Sequence, residues 1–353
     1  MTKPVVAQSK PCLVTVQEGK RYFWCACGLS KKQPFCDNSH RDTNFLPLVW
    51  TAEKTEEKLF CACKQTRSQP FCDGSHNSLT DTYTEATDED GANATMVDYE
   101  RQKSGALKAN LDNGCYVVRV PESAMKLHGT IRVYPAITGD DGADMLSQFA
   151  AIAAPGESPI IGFPESDTVL FIISGSGSIQ IADRSFDVGP ETGVCIKSGE
   201  AFRVINSGDG AMSLNMTVCP HSKSMEILDE MPQTFDGSVP DRIQGVDESK
   251  KEVMADRFYQ VLVDHELHNT AITQFIGEIP KSRASHHHHL YEETITVLSG
   301  EGVMWTDETK TAVKPGDTIF LPLKQAHSLE CTTPDGMRMV GQFYPSMSPA
   351  INY

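Results

Sequence analysis

The sequence predicts a mainly β protein in which two β-barrels, or jelly rolls, follow a small domain that metal centres stabilise. Two internal repeats support this prediction. One repeat, near the amino terminus, returns after 36 residues, and the other, in the rest of the chain, returns after 125 residues. A third observation is that helical periodicity is nearly absent, because short β-rich runs alternate with turns rich in Gly, Pro and Asp.

The chain has the composition of a water-soluble globular protein. Its 353 residues are 39% hydrophobic and 22% charged, which excludes a disordered, collagen-like or coiled-coil protein. No apolar run approaches the roughly 20 residues of a membrane helix, and the start of the chain has no apolar signal core. We therefore expect a cytoplasmic protein of two or three domains, without a membrane partner. The expected boundaries are a metal-stabilised domain at 1–85, a linker at 86–114, a first barrel at 115–222, a linker at 223–255 and a second barrel at 256–353.

The net charge argues against nucleic acid as a partner. The chain has 31 basic and 47 acidic residues, a formal charge of −16. Residues 1–80 hold 11 basic and 7 acidic side chains, a net of +4, which leaves −20 for the rest. A basic head on an acidic body would allow electrostatic docking, and two independently solvated surfaces are the alternative.

The first repeat places cysteine and histidine at metal-ligand spacing. Its two copies are Cys25-x-Cys27-x8-Cys36-x3-His40 and Cys61-x-Cys63-x8-Cys72-x3-His76. Each copy is too small to fold on an apolar core alone, so a bound metal must supply much of its stability. Three thiolates and one imidazole suit either a structural zinc or an iron-sulfur cluster. The scattered cysteines are expected to be free thiols: Cys12, Cys115, Cys195, Cys219 and Cys331.

Both copies resemble the CDGSH iron-sulfur (NEET) family, whose pattern is C-x-C-x2-S/T-x3-P-x-C-D-G-S/T-H. Ser30 and Thr66 occupy the hydroxyl position, and the resemblance covers roughly residues 4–85. Asn38 replaces the glycine of the pattern, and because asparagine tolerates a left-handed backbone we expect the turn to survive. The resemblance implies two [2Fe-2S] clusters, each held by the three cysteines and the histidine of one copy. An imidazole ligand raises the reduction potential, so these would be electron carriers of moderate potential.

The second repeat predicts two similar barrels, of which the second carries a cluster of candidate ligands. Residues 170–177 correspond to 295–302, and residues 188–190 correspond to 313–315. In the second copy, four consecutive histidines at 286–289 precede a glutamate at 293. Four histidines in the interior of a chain are not a purification tag, so we interpret them as functional.

Alternation along a predicted strand selects among these candidates. Successive side chains of a strand point to opposite faces. Ile295 and Val297 are apolar whereas the intervening threonines are polar, so odd-numbered residues are expected to face the barrel interior. The same parity selects His287, His289 and Glu293 and directs the even-numbered histidines outwards.

The second copy closely resembles the cupin superfamily. The first cupin motif, H-x-H-x3-E-x6-G, is met by four residues: His287, His289, Glu293 and Gly300. The second motif, P-x-G-x2-H, is met by residues 322–327, which end at His327, with Lys324 in place of the glycine. Two copies make the body resemble a bicupin over residues 115–353. The resemblance implies a metal site built from four residues: His287, His289, Glu293 and His327.

Three imidazoles and one carboxylate would leave a divalent metal partly open to O2 or a substrate. Iron(II) is the first choice, and nickel, manganese and zinc are alternatives. Applying the offset of 125 residues to the first barrel gives four positions that cannot hold a metal: Gly162, Pro164, Thr168 and Phe202. The first barrel is therefore predicted to be structural. The lone histidines are expected to be ordinary surface or core residues: His128, His221, His265 and His268.

Electron counting connects the two halves of the chain. A dioxygenase needs no outside electrons, whereas a monooxygenase commonly needs two, which two one-electron clusters could deliver. The first hypothesis is a mononuclear non-heme iron cupin oxygenase that acts on a small organic substrate with O2, with the clusters supplying electrons to the cupin iron. Two alternatives remain: a simple cupin dioxygenase, flavonol- or thiol-dioxygenase-like, with the clusters as a redox gate, and a non-catalytic iron-sulfur redox sensor or ligand-binding protein.

Three residues of the second barrel are expected to act on the substrate. By resemblance to flavonol-type bicupin dioxygenases, Glu293 could leave the metal and act as a base. Arg283 and Tyr291 share its parity and could anchor a substrate carboxylate or donate a proton. Cupins often pair edge to edge, so a homodimer is expected, and an external reductase could supply the electrons.

Overall fold

The structure is a computed structural model that describes residues 4–79, 93–254, 256–284 and 286–349. The described residues form two compact units, one built on residues 4–79 and the other on residues 93–252 and 256–347. Strands dominate both units, so the predicted mainly β fold is confirmed. Residues 80–92, which include the start of the first predicted linker, lie outside the described residues.

The elements are mostly short strands. The smaller unit contains β1 (Cys12–Val16), β2 (Arg21–Trp24), β3 (Leu48–Thr51) and β4 (Glu56–Phe60). The larger unit begins with β5 (Thr95–Met96), β6 (Glu100–Arg101), β7 (Leu107–Asn110), β8 (Tyr116–Arg119), β9 (Lys126–His128), β10 (Ile131–Ile137), β11 (Ser147–Ala153), β12 (Gly156–Glu157), β13 (Ile160–Gly162), β14 (Asp167–Ser174), β15 (Gly177–Ile181), β16 (Arg184–Val188), β17 (Thr192–Ile196), β18 (Ala201–Asn206), β19 (Met212–Cys219), β20 (Glu226–Leu228) and β21 (Ile243–Gly245). It continues with β22 (Glu252–Met254), β23 (Arg257–Val263), β24 (Thr273–Ile279), β25 (Glu292–Ser299), β26 (Gly302–Trp305), β27 (Thr309–Val313), β28 (Asp317–Leu321), β29 (Ser328–Cys331) and β30 (Met337–Tyr344).

Helices are few and short in the described residues. The α-helix is α1 (His265–His268), and the 3-10 helices are Ser39–Asp42, Ser75–Ser78, Asp112–Gly114, Glu122–Ala124, Gly139–Asp141 and Glu248–Lys250. Across the part of the chain that the structure describes, no helix reaches the length and hydrophobicity of a membrane span.

The two copies of the first repeat interlock in the smaller unit. β1 of the first copy pairs antiparallel with β4 of the second, and β3 of the second pairs antiparallel with β2 of the first. Aromatic side chains fill the space between the copies. Trp24 and Phe60 are fully buried, and the Phe60 ring lies 5.2 Å from the Phe35 ring and 5.3 Å from the Phe71 ring. This apolar cluster is small, so the unit depends on further stabilisation by its donor loops.

Each barrel of the larger unit has a large sheet and a small sheet. In the first barrel these run β21-β17-β14-β19-β11-β10-β9 and β16-β15-β18-β13-β20. In the second they run β22-β23-β24-β30-β25-β28-β8-β7-β6 and β29-β26-β27-β5. The seven strands of the first large sheet, from β21 to β9, correspond in order to the strands from β8 to β22 of the second, which has β6 and β7 in addition. The repeat of 125 residues is therefore also a repeat of structure.

The first strand of each barrel repeat belongs to the sheet of the other barrel. β8 pairs with β28 of the second barrel, and its counterpart β21 pairs with β17 of the first. At the end of β8, Arg119 forms a two-pronged ion pair with the fully buried Asp317 of β28, at 2.6 and 2.7 Å. This ion pair and the strand pairing fasten the exchanged strand to its sheet.

The exchange corrects both predicted linkers. Residues 95–110 supply β5, β6 and β7 to the second barrel, and residues 226–245 supply β20 and β21 to the first. β8, assigned from the sequence to the first barrel, also lies in the second. These strands escaped prediction because each is only two to four residues long, too short for alternation to show. In addition, β5, β8, β20 and β21 pair with strands that lie far away in the sequence.

The two large sheets face each other through buried polar side chains. Thr294 and Thr296, expected on the outer face of their strand, are 0% and 2% exposed. Gln148 of the first barrel donates hydrogen bonds to Thr294 and to Gln342, both at 3.0 Å, and Asn215 donates to Thr296 at 2.9 Å. The polar face is therefore an interface between the barrels rather than a solvent-exposed surface, and its hydrogen bonds fix how the sheets pack.

Replacing Arg119 with methionine should destabilise the larger unit, because the buried carboxylate of Asp317 loses its cation. A hydrogen bond to a charged group contributes about 1.5 to 3 kcal/mol. We expect the free energy of unfolding to fall by about 2 kcal/mol, measured by urea denaturation followed by circular dichroism.

Arg203→Met is the matched control. Arg203 has 28% of its side chain exposed, close to the 27% of Arg119, but its partner Glu157 is 59% exposed. An exposed pair of this kind contributes less than about 1 kcal/mol. Equal losses for the two variants would show that the ion pair at Asp317 does not hold the exchanged strand.

Candidate metal centres

Three histidines of the second barrel converge on one point. His287 and His327 form an isolated antiparallel bridge, with backbone N–H···O distances of 3.1 and 2.9 Å. Side-chain nitrogens of His287, His289 and His327 lie within 4.8 Å of one another, close enough to hold a single ion. The described residues form no other such group of three or more His, Cys, Asp or Glu. The histidine run precedes β25 instead of lying on it, so the expected regular strand is wrong there, although the two odd-numbered histidines do meet.

Hydrogen bonds orient two of the three rings. His327 Nδ1 lies 2.8 Å from the backbone oxygen of Gln325, and His289 Nδ1 lies 3.0 Å from Glu293 Oε2. Both contacts occupy Nδ1 and leave Nε2 for a metal. Burial lowers the pKa of His327 to about 3, so its ring is neutral and ready to bind at neutral pH. Three converging imidazoles suit a divalent ion such as Fe(II).

Glu293 lies beside the three histidines as the partner of one of them. Its side chain is buried and lies close to the backbone of Gly341. A Cβ atom added to this glycine would lie 3.1 Å from Glu293 Oε1. Burial raises the pKa of Glu293 to about 8. A carboxylate that accepts from a ligand histidine orients the ring and increases its basicity. The role of Glu293 as a fourth ligand stays a prediction.

Two residues that replace motif glycines adopt the glycine conformation. Lys324, in the second cupin motif, has a φ of 65°, and its backbone N–H donates to the oxygen of His289 at 2.9 Å. Asn38 has a φ of 75°, close to the 83° of Gly74 at the same place in the other copy. Both turns therefore keep their left-handed form at a modest conformational cost.

An aromatic wall adjoins the histidine group. Tyr291 is 1% exposed and stacks between the His289 ring, at 4.4 Å, and the Phe343 ring, at 4.0 Å. Phe275 extends the wall, with its ring 5.9 Å from that of Phe343. Sequence reasoning selected Tyr291 but missed both phenylalanines, whose strands β24 and β30 carry no motif.

The structure does not place Arg283 in the histidine group. Its guanidinium lies 3.9 Å above the Trp305 ring, and its backbone bridges to Glu330 beside β29. His286, of even parity, has Nδ1 3.4 Å from the Asp307 carboxylate and also lies outside the group. Arg283 therefore belongs to the wall of the small sheet, and its contact with a substrate stays a prediction.

The first barrel has an apolar core residue at the position equivalent to His327. Phe202, at the place of His327, is 1% exposed and pairs in register with Ile161. It belongs to a continuous cluster that includes Phe149, Phe163 and Leu214. The interior of this barrel is thus filled by side chains, as expected for a structural copy.

The donors of the smaller unit lie in pairs. The pairs and their separations are Cys25 Sγ–Cys27 Sγ at 3.6 Å, Cys36 Sγ–His40 Nδ1 at 3.1 Å, Cys61 Sγ–Cys63 Sγ at 3.4 Å and Cys72 Sγ–His76 Nδ1 at 3.3 Å. Two pairs in each copy suit a dinuclear cluster, in which each iron takes two protein ligands. A single zinc ion would instead need all four donors around one point. None of the eleven cysteines forms a disulfide.

Backbone and aspartate contacts preorganise the donor loops. Backbone N–H groups point at sulfur in both copies, for example from Asn38 to Cys36 Sγ at 3.3 Å. The motif aspartate holds the loop: Asp73 accepts from the backbone of Arg67 at 2.8 Å and of Ser75 at 3.0 Å. Its counterpart in the first copy makes the same pair of contacts. The loops are therefore fixed by contacts that do not involve a metal.

Comparison with known proteins finds a family resemblance in a segment of each unit. Residues 4–41 match the family model described as iron-binding zinc finger CDGSH type, and residues 276–341 match the cupin domain. The mitochondrial CDGSH iron-sulfur domain-containing protein 3 of Mus musculus is 51% identical over 55 residues, which are 15% of this chain and 40% of the mouse protein. The match thus spans less than half the length of that relative. A CDGSH segment implies a [2Fe-2S] cluster.

Solved structures resemble the two-barrel body. Protein Ylba from E. coli has a TM-score of 0.52 at 13% identity, covering 67% of this chain and 92% of its own. Procruciferin, an 11S globulin from Brassica napus, has a TM-score of 0.52 at 10% identity, covering 62% and 81%. At these identities the likeness concerns the fold. The resemblance to a CDGSH segment fused to a bicupin-like body is thereby confirmed.

Replacing His327 with alanine should abolish binding of a divalent ion to the second barrel, because it removes one of three converging donors. We expect at least about a 100-fold loss of affinity, measured with Mn(II) through the electron paramagnetic resonance signal of the unbound ion. His221→Ala is the control, since that histidine is exposed in the first barrel and should leave binding unchanged. Equal affinity for wild type and the His327 variant would contradict the site.

Affinity for Mn(II) should also rise with pH as the pH approaches 8. The pKa of Glu293 is raised to about 8 in the metal-free protein, and a bound cation favours the charged carboxylate, so binding releases a proton. As the pH rises, a larger fraction of the metal-free protein has already lost this proton, so the affinity for Mn(II) increases by up to about tenfold per pH unit. Glu293→Gln should flatten this dependence, and an unchanged slope in that variant would contradict the coupling.

Proposed function

Because the chain joins a CDGSH iron-sulfur segment to a cupin metal site, we propose that it is a mononuclear non-heme iron oxygenase. Two [2Fe-2S] clusters in the smaller unit supply electrons to the cupin iron, which acts on a small organic substrate with O2. The observation that carries this proposal is the presence, on one chain, of two sets of paired donors for one-electron carriers and one three-histidine group for a single ion.

The electron count favours monooxygenation over dioxygenation. Insertion of one oxygen atom into a C–H bond, with reduction of the other atom to water, consumes two electrons and two protons. Each cluster delivers one electron, so the pair matches one turnover. A dioxygenase places both atoms in the product and leaves the clusters without a role in each turnover. In the monooxygenase, an external reductase would reduce the clusters again after each turnover.

His287, His289 and His327 would hold the iron, and the iron would supply the site for O2 activation that organic side chains lack. The protein residues around it keep defined roles. Glu293 fixes the His289 ring through Nδ1 and, with a pKa near neutrality, can hold or release a proton at its carboxylate. Tyr291 and Phe343 form an apolar wall that excludes water from one side of the site.

A second candidate function is a cupin dioxygenase in which the clusters act as a redox gate. Glu293 favours it, because a buried carboxylate with a raised pKa, placed beside a ligand histidine, is suited to remove a proton from a bound substrate. Arg283 and Tyr291 would then anchor or protonate that substrate. In this case O2 consumption would continue with the clusters oxidised.

The reoxidation rate of reduced clusters tests the proposal. Full-length protein loaded with Fe(II) is reduced anaerobically and mixed rapidly with O2, and cluster absorption is followed. We expect reoxidation several-fold faster in wild type than in His327→Ala, because only the wild type offers the cupin iron as an acceptor. His221→Ala should behave as wild type. Equal rates in all three proteins would contradict electron delivery and leave the dioxygenase as the better candidate.

A further inference from the structure

A lysine is buried between the two donor motifs of the smaller unit. Lys64 directly follows Cys63 and is only 2% exposed. Its Nζ donates to the backbone oxygen of Cys61 at 2.9 Å and lies 4.7 Å from the centre of the Trp24 ring. Lys64 belongs to the second motif, and Trp24 immediately precedes Cys25, the first donor of the other motif. The ammonium group therefore lies against donor segments of both copies.

The backbone at Lys64 is strained in a way that a glycine would relieve. Its φ is 64°, in the left-handed region that disfavours residues with a Cβ atom. The equivalent residue of the first copy is Gly28, with a φ of 83°. A Cβ atom on Gly28 would lie 1.7 Å from the backbone oxygen of Val5, so no side chain fits there. The lysine bears the same modest conformational cost as Lys324, and only the second copy has room for a side chain at this position.

The direct partners of Lys64 do not balance its charge. A backbone oxygen and an aromatic face stabilise an ammonium group only partly, and burial of a cation is costly without a negative partner. Trp24 Nε1 also donates to the same Cys61 oxygen at 2.7 Å, so that acceptor is shared. The two groups that the ammonium contacts belong to Cys61 and to the neighbour of Cys25, so the negative charge of the metal-bound thiolates in the two motifs would be its natural counterpart.

We propose that the buried ammonium group of Lys64 stabilises the reduced form of the [2Fe-2S] clusters and so raises their reduction potentials. The inference rests on the two clusters of the proposed function. Each cluster accepts one electron and becomes more negative by one charge, and no bond or proton changes place. A fixed cation in a region of low dielectric favours that added charge. Because it touches both donor segments, a single lysine acts on both clusters.

Lys64→Met tests this inference by removing the charge while keeping much of the side-chain volume. Potentials are measured by anaerobic redox titration of the full-length protein, followed by cluster absorption, in the absence of O2. We expect the equilibrium constant for one-electron reduction to fall by about tenfold or more, which corresponds to about 59 mV towards lower potential. Lys64→Arg, which keeps the charge, should restore most of the wild-type potential.

Lys32→Met is the matched control, because it removes the same charge from an exposed position of the first motif. Solvent screens the charge of Lys32, so the reduction potentials of the clusters in Lys32→Met should stay close to those of the wild type. Lys64→Gly, which suits the left-handed backbone, replaces the methionine variant if the latter does not fold. The inference would be overturned if the potential shifted no more in Lys64→Met and Lys64→Gly than in Lys32→Met. It would also be overturned if metal analysis found zinc instead of iron in the smaller unit.

The two proposals fail separately in these experiments. A potential shift in Lys64→Met, together with equal reoxidation rates in wild type and His327→Ala, would support the role of Lys64 and contradict the oxygenase. Faster reoxidation in wild type, without any potential shift in the Lys64 variants, would support the oxygenase and overturn the role of Lys64.

Discussion

Each repeat in this chain gives its first strand to the other copy. In the smaller unit β1 pairs with β4, and in the larger unit β8 pairs with β28 while β21 pairs with β17. Neither copy can complete its sheet alone, so the two copies depend on each other for stability. Without β8, β28 would be an exposed edge strand next to β25, which carries Glu293. The exchange thus closes the sheet that supports the histidine group and brings both donor motifs onto one aromatic core.

The two barrels show how one fold accommodates opposite interiors. The two barrels have corresponding strands in the same order, 125 residues apart in the sequence, yet Phe202 fills the place that His327 takes in the other barrel. The first barrel gains an apolar core, and the second exchanges part of its core for three imidazoles and a buried carboxylate, which cost stability unless a metal binds them. The first barrel compensates by packing through a hydrogen-bonded interface, where Gln148 reaches Thr294 and Gln342.

Much of the candidate site could be predicted from the sequence because donor chemistry is local. The spacing of His287 and His289, and that of the cysteines, restricts which side chains can meet. What the sequence did not reveal depends on long-range pairing. The strands in the predicted linkers are only two to four residues long. Thr294 and Thr296 were expected to be solvent-exposed because they are polar and the sequence of their own strand does not indicate that another sheet covers them. The hydrogen bond between Glu293 and His289 likewise needs atomic positions.

The strand exchange also governs the order in which the protein can be assembled during synthesis. Arg119 and its partner Asp317 are 198 residues apart. When β8 leaves the ribosome, β28 has not yet been translated, so the nascent chain carries β8 paired at most with β7 until the segment around Asp317 has emerged. Completion of the second barrel must therefore wait for a strand that lies far along the chain, and such long-range pairing is a slow step in folding.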